Sequence, residues 1–133
     1  MCLKDAKPSI VPAIIGYKLV RRVATKVYMG LYCGFFVKEP TYKPNETHIS
    51  GHFKGGREEI DSYTPGFHVY DSLESVQRLY EIMKPNEGPH SFLVASAPAV
   101  IVKVLLEEIH TEGYDVEYQL CYVGNKQTII EEV

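Results

Sequence analysis

A chain of 133 residues is long enough to bury roughly two thirds of the surface its unfolded form exposes, so one domain needs neither a metal nor a disulfide to hold it. The composition, 45% apolar with ten Tyr and no Trp, is that of a globular protein with a phenolic β core, and no stretch approaches the ~20 apolar residues that span a bilayer. The formal charge of −3 hides a division: residues 1–57 hold ten Lys/Arg against three Asp/Glu, a net of +7, and residues 58–133 hold four against fourteen, a net of −10. Such a chain can offer a cationic surface to an anionic ligand or two surfaces that attract each other between copies, and its acidic total argues against nucleic acid as a partner.

Cys2, Cys33 and Cys121 are odd in number and show neither a CxxC nor a zinc-finger spacing, which fits a reduced, cytoplasmic setting. Lys4, Asp5, Lys7 and Pro8 interrupt the start of the chain, so no signal peptide is expected. Residues 1–10 show no period and read as a loosely attached arm ahead of a single domain over 11–133. Ile10 to Ile15 surround Pro12, which limits them to an edge strand or an extended lead-in. From Tyr17 to Val23 the alternation predicts a strand that carries cations on both faces, Arg21 on one and Lys18 and Arg22 on the other. In a covered strand one of the two arginines needs an anionic partner.

Lys26 to Val37 predicts a second strand, with Met29, Leu31 and Cys33 on the expected core side and Tyr28, Tyr32 and Phe36 beside Gly30 and Gly34 on the other. Residues 39–64 are broken by Pro and Gly, and only Thr47 to Phe53 can form a brief strand. Pro65-Gly66 then frees the chain for a turn, and Phe67 and Val69 alternate with His68 and Tyr70 as a half-buried strand. Asp71 or Ser72 caps a helix over Leu73 to Lys84, whose apolar stripe of Leu73, Val76, Tyr80 and Met83 is widened by Leu79 and Ile82 and stopped by Pro85. Ala99 to Ile109 is a β-branched run that predicts a long buried strand, with Val100, Val102, Val104 and Leu106 on one face. Gly113 and Gly124 then mark turns of a closing meander. The elements together predict a single α+β domain, a mainly antiparallel twisted sheet with one principal helix packed on one face.

Two loop features carry chemistry. His48 and His52 stand four apart, but Ser50-Gly51 between them disfavours the helix that would present both to a metal, so no metal site is expected. Gly51 to Arg57 reads GHFKGGR, and flexible backbone with two cations can wrap a phosphate. The expected ligand site therefore combines Arg21 and Arg22 with His52, Lys54 and Arg57 for charge, and Tyr63, His68 and Tyr70 for stacking and hydrogen bonds. The function expected of it is noncatalytic binding of an anionic small molecule, nucleotide-like, with no cofactor. The alternative expectation is a protein-interaction or inhibitor domain that self-associates through its opposite charges.

An arginine on an early strand, the FHVYDS segment running from strand to helix in mid-chain, and a glutamate near the end of the sequence occur in the order used by ADP-ribosyltransferase-like enzymes, which the chain resembles in that respect. The resemblance implies NAD as substrate, with Arg21 or Arg22 binding it and Glu131 or Glu132 as the catalytic acid.

Overall fold

Two long strands organise the molecule, and a computed structural model describes them within residues 3–30, 41–49, 66–83, 98–115 and 117–133. They are β6, Ala99–Tyr114, and β7, Leu120–Glu132, paired antiparallel from Val102↔Glu132 to Tyr114↔Leu120. The β-branched run of β6 gives this pair its length. Each of the two then uses its second edge for two further strands.

The outer edge of β6 takes β1, Lys4–Pro8, opposite Tyr114 to Thr111, and β2, Ala13–Ala24, opposite Glu107 to Ala99. These are one edge run interrupted between Pro8 and Pro12, because a proline has no amide hydrogen to give to the ladder. The interruption is bridged by Ser9 N donating to His110 O at 3.2 Å and Ile109 N donating to Pro12 O at 3.2 Å. The outer edge of β7 takes β5, Phe67–Tyr70, opposite Gly124 to Cys121, and β4, Thr47–Ile49, opposite Thr128 to Lys126. β3, Val27–Gly30, folds back on β2 and is bridged on its far side by Tyr28↔Tyr42.

β5 also touches β2, at Tyr17↔Tyr70, so the pairing β6–β2–β5–β7–β6 returns on itself. Gly16 makes that closure possible. A Cβ there would run into the carbonyl oxygen of Tyr70 and lie 2.5 Å from Val69 Cγ1. Gly124 has the same role where β7 crosses β6, since its Cβ would stand 2.7 Å from Glu107 O.

Alternation along these strands fills two apolar clusters. The inner one joins Val102, Val104 and Leu106 to Val20, Tyr28, Val69 and Ile129. The outer one joins Leu19, Tyr70, Ala99, Cys121 and Val123 to Val76 of the helix α1, Leu73–Met83. Val76 is fully buried, a contribution of about 1.5–3 kcal/mol. Ser72 Oγ caps α1 by accepting from the Ser75 amide at 3.2 Å. The molecule is thus a small α+β domain, one antiparallel sheet and one helix among the described residues.

Four expectations change. Lys4–Pro8 is a strand rather than part of an arm, with Leu3 only 7% exposed, because the open edge of β6 pairs a segment that has no apolar period of its own. The core side of β3 is the Tyr28 side, since Tyr28 is 2% exposed and Met29 is half-buried. Gly113 and Gly124 lie inside strands where another backbone comes close, and the turn falls at Asp115 to Gln119 instead. Ile82, placed on the apolar stripe of α1, is 42% exposed.

Candidate functional site

Lys18, Val20 and Arg22 share one face of β2, and Val20 places that face toward the inner cluster. At the end of this face Arg22 Nη1 donates to Glu132 Oε2 at 2.9 Å, while the Tyr28 hydroxyl donates to Glu132 Oε1 at 3.1 Å. A single carboxylate from the end of β7 therefore ties together β2 and β3. The Tyr28 hydroxyl is pushed above its ordinary pKa, first by burial and then by its bond to Glu132.

Beside this triad opens a cleft of about 630 Å³. The turn between β2 and β3 supplies Thr25 and Lys26 to it, the segment before β4 supplies Pro44 and Asn45, and β7 supplies Ile130, Glu131 and Glu132. Arg22 and Tyr28 complete the lining. Lys26 and Asn45 both hold left-handed backbone, with φ of 54° and 66°, which costs a non-glycine residue roughly 1–2 kcal/mol and is eased for Asn by local hydrogen bonding. Two cations and two carboxylates face one volume. The arrangement can hold a small molecule that carries an anionic group together with hydrogen-bond donors.

Deeper on the same face, Lys18 Nζ donates to Gln127 Oε1 at 3.1 Å and lies 5.3 Å from the centroid of the Phe67 ring. His68 Nδ1 sits 3.1 Å from Gly66 O, and burial, reinforced by the Lys18 charge, pushes its imidazole down to about 3. Tyr70 is buried and donates its hydroxyl to Asp115 Oδ2 at 2.7 Å, so burial first and then Asp115 hold that hydroxyl far above its ordinary pKa. Asp115 Oδ1 accepts from the amides of Glu117 at 2.8 Å and Gln119 at 2.9 Å. This network shapes the β6–β7 turn and is tied to α1 by Ser75 Oγ donating to Gln119 Oε1 at 2.9 Å.

Of the residues expected to form the ligand site, Arg22 lines the cleft. Arg21, 7% exposed, points to the opposite face of β2, Tyr70 is buried, and His68 is half-buried and does not line the cleft. His52, Lys54, Arg57 and Tyr63 fall outside the described residues, as does most of the GHFKGGR loop. His48 stacks edge-on against Tyr42 with centroids 4.6 Å apart, and among the described residues no three His, Cys, Asp or Glu side chains are grouped to hold a metal. Nothing in the sequence pattern singles out Lys26 and Asn45, whereas the glycines beside Tyr28 leave room for a ligand ring on its surface and the family resemblance names Glu132. No described helix is long and apolar enough to cross a membrane. The chain matches no family model, no curated protein and no solved structure.

Proposed function

We propose that this protein is a noncatalytic binding module for a small anionic ligand of nucleotide type, and that the cleft beside Arg22 is its site. The observation that carries the reading is the pair of cations, Arg22 and Lys26, set on a cleft whose volume of about 630 Å³ falls in the ~300–1,000 Å³ range of small-molecule sites. Glu132 engages one guanidinium nitrogen and leaves the Arg22 side chain 41% exposed, so the charge is aimed before a ligand arrives. Glu131 and Asn45 supply acceptors for hydroxyl or amino groups of the same ligand. Calorimetry and thermal melting with a panel of nucleotides and dinucleotides test this. A true ligand at a hundred times its Kd stabilises the fold by about 2.7 kcal/mol. R22Q and K26N, the latter keeping a residue that tolerates left-handed backbone, should abolish that gain. If no nucleotide or dinucleotide raises the melting temperature, the reading fails.

A second reading, an ADP-ribosyltransferase-like enzyme, is favoured by one observation. Of the two arginines and two glutamates that the resemblance names, Arg22 and Glu132 meet at 2.9 Å across 110 residues. It requires NAD hydrolysis that disappears in E131Q/E132Q, and hydrolysis that survives that change removes the proposed acid.

A further inference from the structure

The strand registers lay out a second surface, which shares only Glu131 with the cleft. Leu105 alternates with the fully buried Val104 and Leu106, so it turns to the outside of the sheet. Its Cα partners are Ile15 on β2 and Thr128 on β7, and Thr128 in turn pairs with Thr47 on β4. Cross-strand neighbours stand about 4.5–5.5 Å apart, so these four side chains form one row across four strands. Thr47 Oγ1 and Thr128 Oγ1, 2.8 Å apart, mark its outer end. Further along the same strands Leu19 and Ile101 join Val76 of α1 in the outer cluster, whereas Ile15 remains 55% exposed.

The charges beside this row alternate. On one side of it Glu107 pairs with Lys126, and on the other Lys103 pairs with Glu131. Along β6 the sign runs from negative through Leu105 to positive, and along β7 from positive through Thr128 to negative. We infer that this face binds a second copy of the chain, with the twofold axis lying along the row.

Such an axis sets position 107 of one copy against position 103 of the other, and position 126 against position 131. All four contacts are then between opposite charges, and Ile15 and Leu105 stack on their own copies, as an isologous interface requires. An axis along the strands would also satisfy the charges, but it would place Leu105 on Thr128 and Ile15 on Thr47. The row-on-row arrangement therefore keeps the apolar pair together and is the one assigned. Four strands at about 4.8 Å spacing and about 14 Å of their length cover on the order of 200–300 Å² per copy. That is well below the ~800 Å² per partner of a stable complex, so the dimer is weak and depends on concentration.

Analytical ultracentrifugation of the whole chain from micromolar to millimolar concentration tests the assignment. The weight-average mass should rise from 15.1 kDa toward twice that value, and added salt should lower it. K103E alone and E107K alone each bring like charges together and should stay at the single-chain mass, while their equimolar mixture regains the dimer, because each position 103 again faces an opposite charge. The axis along the strands gives no such rescue. I15E, at an exposed position, sets two carboxylates against each other on the axis and should also remain monomeric, with an unchanged far-UV spectrum. A wild-type chain that stays at its own mass at millimolar concentration overturns the proposal, and so does a mixture no more associated than either single variant.

Discussion

Replacing Asp115 with Ala tests the idea that one buried carboxylate, rather than a glycine, shapes the β6–β7 turn. Asp115 is 2% exposed and receives three hydrogen bonds, from the Tyr70 hydroxyl at 2.7 Å and from the amides of Glu117 at 2.8 Å and Gln119 at 2.9 Å. A hydrogen bond to a charged group is worth about 1.5–3 kcal/mol, and the full value applies to Tyr70, whose hydroxyl would be left buried without its acceptor. The two amides belong to half-exposed residues or their neighbours and recover part of their loss from water, so about 1 kcal/mol each is the reasonable share. The sum is about 4 kcal/mol. A domain of this length has roughly 7–20 kcal/mol of stability at 0.05–0.15 per residue, so the variant should fold but lose a substantial fraction. Urea unfolding followed by far-UV dichroism measures the loss. Tyr70→Phe removes only one of the three donors and should cost about 2 kcal/mol. A D115A loss below about 1 kcal/mol, or one no larger than that of Y70F, would show that the turn holds its shape without the carboxylate.

Three further outcomes follow from the packing. Gly16→Ala forces a methyl against the Tyr70 carbonyl and Val69 Cγ1, so it should lower stability by at least about 2 kcal/mol and weaken amide-exchange protection in β5 first; a neutral G16A would mean that β2 and β5 are not in register at Tyr17↔Tyr70. The Cys121 thiol is fully buried, and burial with the Asp115 charge pushes it up to about 12, so in a C2S/C33S chain it should resist a thiol reagent at pH 8 until denaturant is added, whereas prompt native labelling would contradict its placement. His68 takes a proton near pH 6.5 when unfolded but only near 3 when folded, which means that stability is unaffected above pH 6.5 and is lost as pH falls toward 3, by a few kcal/mol. H68Q should flatten that part of the stability profile, and an unchanged acid slope in H68Q would assign the loss to other groups.

What could be read from the sequence was local. Gly66, the alternation of Phe67 and Val69, and Ser72 lie within a few residues of one another, and the strand and helix they announce are where expected. β1 could not be read in this way. Its residues, KDAKP, have poor strand propensity, and the hydrogen bonds of β6 hold them in place. Gly113 and Gly124 look like turn residues when only their flexibility is considered, but their missing side chains are what matter, because other backbones approach them. The same distinction holds for the site. That one of the two arginines needs an acidic partner was legible in the pattern of β2; that Arg22 pairs with Glu132 depends on the register of β2, β6 and β7, which no spacing in the chain encodes.

That register also decides what the division of charge means. The first half of the chain supplies β1 and β2, and both lie along β6 from the acidic half. Lys7 consequently pairs with Glu112, Lys18 reaches Gln127, and Arg22 reaches Glu132, so among the described residues the basic strands are threaded through acceptors rather than gathered on a separate cationic face. The cleft follows the same rule. Arg22 and Lys26 are matched by Glu131 and Glu132, and its lining has no net formal charge. An ion made of phosphate alone would meet as much repulsion as attraction there, whereas a ligand with a phosphate at one end and hydroxyl or amino donors at the other can use all four groups. Under the binding role proposed above, a nucleoside monophosphate should therefore bind at least ten times more tightly than pyrophosphate, a difference of about 1.4 kcal/mol. Calorimetry at matched ionic strength compares the two, and a chain that prefers pyrophosphate would show that attraction to phosphate charge alone governs the cleft, which its two carboxylates should not permit.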